Sequence, residues 1–261
     1  MLLHASCILE MNSVWAVPTT LMLRPKSGIG QFVLQQTFRM YPYTAMTEFT
    51  DAYGNLCQRL TIPAGDFRLE STVTVDCADY IDVNIYAPYT TPELIPDEVL
   101  QFLLPSRYCE SDKCNELATR IVAGALPGYP QVQAITRWIH TEFRYEYNTT
   151  DASTSACDVI TTKVGVCRDF AHAAIALCRS LDIPARMVVG YLYQLDPMDL
   201  HAWFEAYVGD RWYIFDATQA LPMGKRIALG YGRDAADVAF ATHFGQVTLE
   251  KMTVSVEAAQ D

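Results

Sequence analysis

The chain lacks any run approaching the roughly 18 consecutive apolar residues that a membrane-spanning helix requires. It is short of positive charge: 19 Lys and Arg stand against 30 Asp and Glu, a formal net charge of −11. A surface of that sign repels phosphate backbones and anionic headgroups, so neither nucleic acid nor membrane is an expected partner. Eight cysteines in 261 residues are too few for a disulfide scaffold. Most of them are read as small buried hydrophobes. No EF-hand-like loop and no phosphate-binding glycine loop occurs, so neither calcium nor a nucleotide cofactor is expected. Cys109 and Cys114 have no second Cys/His pair at finger spacing, which argues against zinc. The first 17 residues lack a basic n-region, and His4, Glu10 and Asn12 interrupt their apolar run. They are expected to form the first strand or two of a cytoplasmic protein rather than a signal peptide.

What is present divides into two periods. Residues 1–95 read as β structure: runs such as Val33 to Phe38 and Leu69 to Val75 alternate in part, with Pro, Gly and Asp between them. Asp51-Ala-Tyr-Gly-Asn55 is a turn signal. The expectation is an antiparallel β-sandwich of six to eight strands. Tyr86 to Pro96 carries three prolines in eleven residues and reads as a domain linker. Residues 96–261 then read as a second unit with its own C-terminal strands. Val132, Ile135, Trp138, Ile139 and Phe143 follow helical spacing. Ser155 with Asp158 is a capping-box start. The stretch from Cys167 to about Ser180 is apolar almost all round, as in a helix buried in the middle of a domain.

Cys167 stands after a glycine at the start of that buried helix. Free N–H groups and the helix dipole there favour a thiolate and offer donors to an oxyanion. A lone cysteine in this position also suits a structural role. His201 begins the strand His201-Ala-Trp-Phe-Glu-Ala-Tyr-Val208, and Gly209-Asp210 has the chemistry of a two-residue hairpin turn. With Val208 facing Arg211, Trp203 faces Asp216, and His201 lies diagonally adjacent to Asp216 on one sheet face. A carboxylate there would orient the imidazole and leave its other nitrogen for a thiol. Cys178, three helical turns from Cys167, is about 16 Å away and reads as core. His172 and His243 read as capped or solvent-facing. Asp234 and Asp237 read as a solvated acidic pair, with cation ligation as the alternative.

Lys163-Val-Gly-Val-Cys-Arg-Asp-Phe-Ala-His172, Ile183-Pro-Ala-Arg186 with Gly190-Tyr191, His201-Ala-Trp203 and Phe215-Asp-Ala-Thr218 together resemble the transglutaminase-like core. More closely, the chain resembles the bacterial transglutaminase-like proteins with an N-terminal β-domain, regarded as candidate cysteine proteases. Asp51 to Asn55, Leu104-Pro-Ser-Arg107 and Gly230 to Val238 fit the same group. The resemblance implies an α+β fold: an N-terminal antiparallel β-sandwich followed by a papain-like core, its nucleophile helix packed on an antiparallel sheet. It implies Cys167 as nucleophile, His201 as general base and acid, and Asp216 as the orienting carboxylate, acting on peptide or protein substrates without a cofactor or metal. The implied activity is a cysteine peptidase or amidase; amine transfer, or a non-catalytic binding module, are the alternatives. Lys163 stands where an Arg is frequent and Gln219 where an Asn often follows. Tyr145, and after it Tyr147, match the position of an oxyanion donor, against a plain core role for each. Arg168 and Trp203 are candidates beside the substrate, with ordinary packing the alternative for Trp203.

Overall fold

A computed structural model describes residues 1–28, 30–221 and 223–259. The N-terminal half is built from six strands: β1 (Leu2–Ser13), β2 (Val17–Leu21), β3 (Gln31–Tyr41), β4 (Met46–Thr50), β5 (Leu56–Ile62) and β6 (Gly65–Cys77). In β1 the side chains of Leu3, Ala5, Cys7, Leu9 and Met11 are buried, while the intervening residues point away from that core. This is the period-two pattern of a half-buried strand. The antiparallel register with β6 sets Leu3 opposite Val75, Ala5 opposite Val73, Leu9 opposite Leu69 and Met11 opposite Phe67. A slip by one residue would turn the whole apolar set to solvent. This face packs with Leu21 of β2 and Leu60 and Ile62 of β5 in one core. The opening segment is therefore strand, as its interrupted apolar run implied.

The two layers are completed from the far end of the chain. β13 (Ala241–His243) pairs with β2, and β14 (Thr248–Ala258) pairs with β1, giving sheet orders β14-β1-β6-β3 and β13-β2-β5-β4. The division at residue 95 assigned these strands to the second unit; their backbone hydrogen bonds belong to the N-terminal sheets. The pairing covers what would otherwise be open edges of β1 and β2. Met252, Val254 and Val256 pack inward from β14.

The proline-rich stretch is likewise no free linker. Ala87, Thr90 and Ile95 are buried, the Tyr129 N–H donates to the Ala87 carbonyl (3.0 Å), and the Gly209 N–H donates to the Pro88 carbonyl (2.8 Å). Gly128, at φ +104°, permits the approach: a Cβ there would lie 2.4 Å from the Ala87 oxygen.

The remaining elements are α1 (Asp97–Leu100), α2 (Asn115–Ile121), α3 (Tyr129–Glu142), α4 (Ala156–Thr162) and α5 (Cys167–Arg179), a short parallel pair β7 (Arg144–Tyr145) and β8 (Val164–Gly165), and the sheet β11-β10-β9-β12. Its strands are β9 (Ala185–Leu192), β10 (His201–Val208), β11 (Arg211–Phe215) and β12 (Arg226–Gly232). Ser155 and Asp158 exchange the reciprocal capping bonds expected at the start of α4. Helix α5 is buried from Asp169 to Arg179 and packs on β10 and β9 and against α3 and α4. Its alanines at 171, 173, 174 and 176 allow close approach on several sides at once. Tyr191 of β9 and Ile227 and Leu229 of β12 join the sandwich core, so the central sheet is shared between the two halves. Among the described residues, no helix is long and apolar enough to cross a membrane.

Candidate active site

The hairpin that positions the site follows from its turn. Gly209 and Asp210 both take positive φ (55° and 62°), the geometry whose twist matches flanking antiparallel strands. The register is Val208 to Arg211 and Phe204 to Phe215. His201 at the start of β10 and Asp216 just after β11 meet at the end of this ladder: His201 Nε2 lies 2.8 Å from Asp216 Oδ2, with both side chains buried. Nδ1 is left for a second partner. Asp216 Oδ1 accepts from the Thr218 N–H (3.0 Å) and hydroxyl (2.7 Å).

A further group was not anticipated. Arg226, at the start of β12, places Nη2 2.8 Å from Asp216 Oδ2 and is itself almost wholly buried. The contact is an ion pair off the hydrogen-bond direction. Its Nε donates to the Met223 carbonyl (2.8 Å), and the guanidinium lies over the Trp203 ring at 5.0 Å. Burial by itself would push the Asp216 carboxyl up; the charges of Arg226 and then His201 override it and hold it well below the usual carboxylate range. Burial likewise opposes protonation of His201, but the Asp216 charge and hydrogen bond, with a contribution from the Cys167 thiol, push the imidazole up to about 9. The hint in the sequence was an arginine leading an otherwise apolar strand.

Cys167 is the first residue of α5 and is half-buried. The helix start is secured by Asp169, fully buried, whose Oδ2 accepts from the Val166 N–H (2.9 Å) and the Thr150 hydroxyl (2.6 Å). Gly165 is required by that packing, since a Cβ there would meet the Asp169 Cβ at 2.7 Å. The Cys167 thiol lies close enough to the His201 imidazole to help push it up. Burial pushes most of the other thiols up, Cys7, Cys109 and Cys114 to about 12 and Cys57 to about 11.

The secondary candidates separate. Tyr145 pairs with Gly165 across β7 and β8, which sets it beside Cys167. Burial first, then Cys167 and Tyr147, push its phenol up. Tyr147 stands edge-on to Tyr145, with ring centroids 5.4 Å apart. Arg168 turns its charge onto Asp169 (2.9 Å) and its Nη2 onto the Thr150 hydroxyl, so it is a neutralised wall rather than a free cation beside the thiol. Trp203 stacks beside His201 at 6.2 Å but lines a different, smaller cavity from the one holding Cys167, because Arg226 occupies its face.

Two other readings are corrected. His172 is hydrogen-bonded rather than solvent-facing. It is buried, stacks on Tyr108 and accepts from the Ala235 N–H (3.1 Å), and burial pushes its imidazole down to about 4. Asp234 is buried and accepts from the Tyr108 and Ala236 N–H groups. Asp237 pairs with Arg233 and accepts from the Tyr53 hydroxyl. These two aspartates staple loops rather than facing solvent. Cys109 and Cys114 are both buried, their thiols donating to the His172 and Glu110 carbonyls.

Cys167 and His201 open onto a cavity of about 490 Å³, within the range of small-ligand sites. Its walls come from both halves of the chain: Val189, Leu200 and Leu229 from the central sheet and its approaches, Phe240, Ala241 and Met252 from the returning C-terminal segment. A thiol, an imidazole fixed by a carboxylate, and a largely apolar recess are the parts needed for attack on an acyl carbon.

Comparison with known proteins agrees with this fold. Residues 115–217 match the model of the transglutaminase-like superfamily, and residues 11–76 match the bacterial transglutaminase-like N-terminal region. A crystal structure of a candidate cysteine protease from Cytophaga hutchinsonii is 35% identical, with a TM-score of 0.94 over 100% of this chain and 91% of that one. An uncharacterized protein of Mycobacterium leprae is 28% identical over 236 residues, covering 83% of this chain and 82% of its own. A second, from Mycobacterium bovis, is 27% identical over 247 residues, covering 83% and 77%. With both halves matched and a relative alike along the whole length, the chain belongs to the transglutaminase-like superfamily.

Proposed function

We propose that the protein is a cysteine hydrolase acting on peptide or side-chain amides of peptide or protein substrates, in the cytoplasm and without a cofactor. Cys167 is the nucleophile, His201 the base and acid, and Asp216 the group that orients His201. The reading rests above all on the 2.8 Å His201–Asp216 contact at a cavity that Cys167 also lines. In the first half-reaction the thiol proton passes to His201 Nδ1 as sulfur bonds to the amide carbon. The resulting oxyanion is met by donors beside Cys167, its own N–H and the Tyr145 hydroxyl. Collapse breaks the C–N bond, and the amine leaves with the proton from His201. In the second, His201 takes a proton from water, the hydroxyl adds to the thioester carbon, and the C–S bond breaks. The carboxylic acid is released and the thiol restored.

Arg226 is read as the group that keeps Asp216 ionised at every working pH. The test is a peptide library incubated with and without a primary amine, the wild type beside Cys167→Ala, with products read by mass. Cleavage or deamidation that persists with amine present, and vanishes in the variant, is the expected result. Amine incorporation with negligible hydrolysis would move the reading to amine transfer. No product with a thiol that still alkylates would favour a binding module.

A further inference from the structure

One charged group on the cavity wall has no part in the chemistry above. Asp199 lies two residues before His201, on the segment entering β10, and is half-buried among the apolar lining. Its Oδ1 accepts from the Leu200 N–H at 2.7 Å. The charged group acting on it is the His201 imidazole, whose own partner is Asp216. Burial pushes the Asp199 carboxyl up, the expected effect of a carboxylate kept from water without a full counter-charge. The other charged side chains on the cavity wall do not supply one: Arg168 is tied to Asp169, and Asp151 is a second carboxylate. Val189, Leu200, Leu229, Phe240 and Met252 line the rest with hydrocarbon. A complementary group therefore needs an apolar stem and a positive end. The acyl part of the substrate remains on sulfur between the two half-reactions, after the amine has departed, so the recess beside the thiol is assigned to the acyl side.

We propose that this cavity selects substrates carrying a lysine or arginine side chain on the acyl side of the reacting carbonyl, with Asp199 receiving the cationic end. The inference rests on the functional reading above and names its substrate class. It also gives the returning C-terminal segment a task, because Phe240 and Met252 complete the apolar wall.

The test uses peptidyl acyloxymethyl ketones, which alkylate an active thiol by displacing a carboxylate and need no turnover. Lysine or its uncharged analogue norleucine is placed in turn at each of the three residues preceding the ketone, and the rate of Cys167 labelling is measured. At one position the wild type should prefer lysine by about tenfold or more, the scale of one charge-assisted contact. Asp199→Asn should bring the ratio to within about threefold, and Asp199→Lys should favour glutamate instead. Because both probes use the same thiol and imidazole, any effect of Asp199 on His201 cancels in the ratio. Equal labelling by lysine and norleucine probes in the wild type, or a preference unchanged in Asp199→Asn, overturns the proposal. Labelling of Cys167 that is slow for every probe and indifferent to His201→Ala overturns the functional reading itself, and the specificity with it.

Discussion

Asp216→Asn isolates the electrostatics of the site in a single carboxylate. With the carboxylate present, His201 is pushed up to about 9 from an ordinary 6.5 although burial opposes it. Without it, burial is the largest remaining influence, so the imidazole should titrate below 6.5. Each unit corresponds to about 1.4 kcal/mol, so the raised value makes His201 worth at most about 3 kcal/mol to the folded wild type. A raised basic group stabilises fully below its unfolded value. That contribution fades as pH climbs from about 6.5 to about 9 and is gone above. In Asp216→Asn this decline should vanish, and stability should instead rise as pH climbs through 6.5. The variant also strips Arg226 of its buried counter-charge, an added cost of about 3–5 kcal/mol. Asp216→Asn with Arg226→Met should recover part of that loss. Urea unfolding at pH 6.5 and 8.5 gives the stabilities, and the imidazole resonances of ¹³C-histidine-labelled protein give the titration. The difference between wild type and variant is the quantity to compare, since the buried thiols are common to both. A His201 resonance still titrating near 9 in the variant, or stability differences equal at the two pH values, would refute the reasoning.

Limited iodoacetamide at mildly acidic pH should modify Cys167 before the other thiols, most of which are buried; faster loss of half-buried Cys157 in peptide mass spectra would count against its assignment. Gly165→Ala forces a methyl group into Asp169 and should cost about 1–3 kcal/mol while slowing Cys167 alkylation; stability within 0.5 kcal/mol of wild type in chemical unfolding would show that the helix start can give way. Asn55→Ala removes the amide that binds both the N–H and carbonyl of Tyr231, joining the turn of the sandwich to β12. The loss should be about 1–3 kcal/mol, with faster hydrogen exchange at residue 231, and unchanged exchange there would argue that water replaces the bridge.

What the chain determines by itself is mostly local. Gly209-Asp210 selects a tight turn, the turn sets the register, and the register brings His201 to Asp216; each step spans fewer than twenty residues. The buried character of α5 and the Ser155–Asp158 cap were legible for the same reason, since helical period and capping act over three or four positions. The start of β1 was legible as strand because His4, Glu10 and Asn12 interrupt its apolar run. What tertiary structure decided lies at long range. β14 closes against β1 although some 250 residues separate them, because an edge strand is completed by whatever strand folding brings alongside and its sequence does not name the partner. Arg226 is an unremarkable basic residue until the pairing of β12 beside β9 carries it to Asp216 and away from water. His172 and Asp234 looked solvated because polar residues usually are; close packing of α5 buried both and supplied backbone partners. Arg168 stands next to the thiol in sequence, yet Asp169 and Thr150 hold its charge elsewhere. Whether a charged side chain serves the site depends on which opposite charge lies nearest in space, and that is settled only when the sandwich, the central sheet and the returning strands have come together.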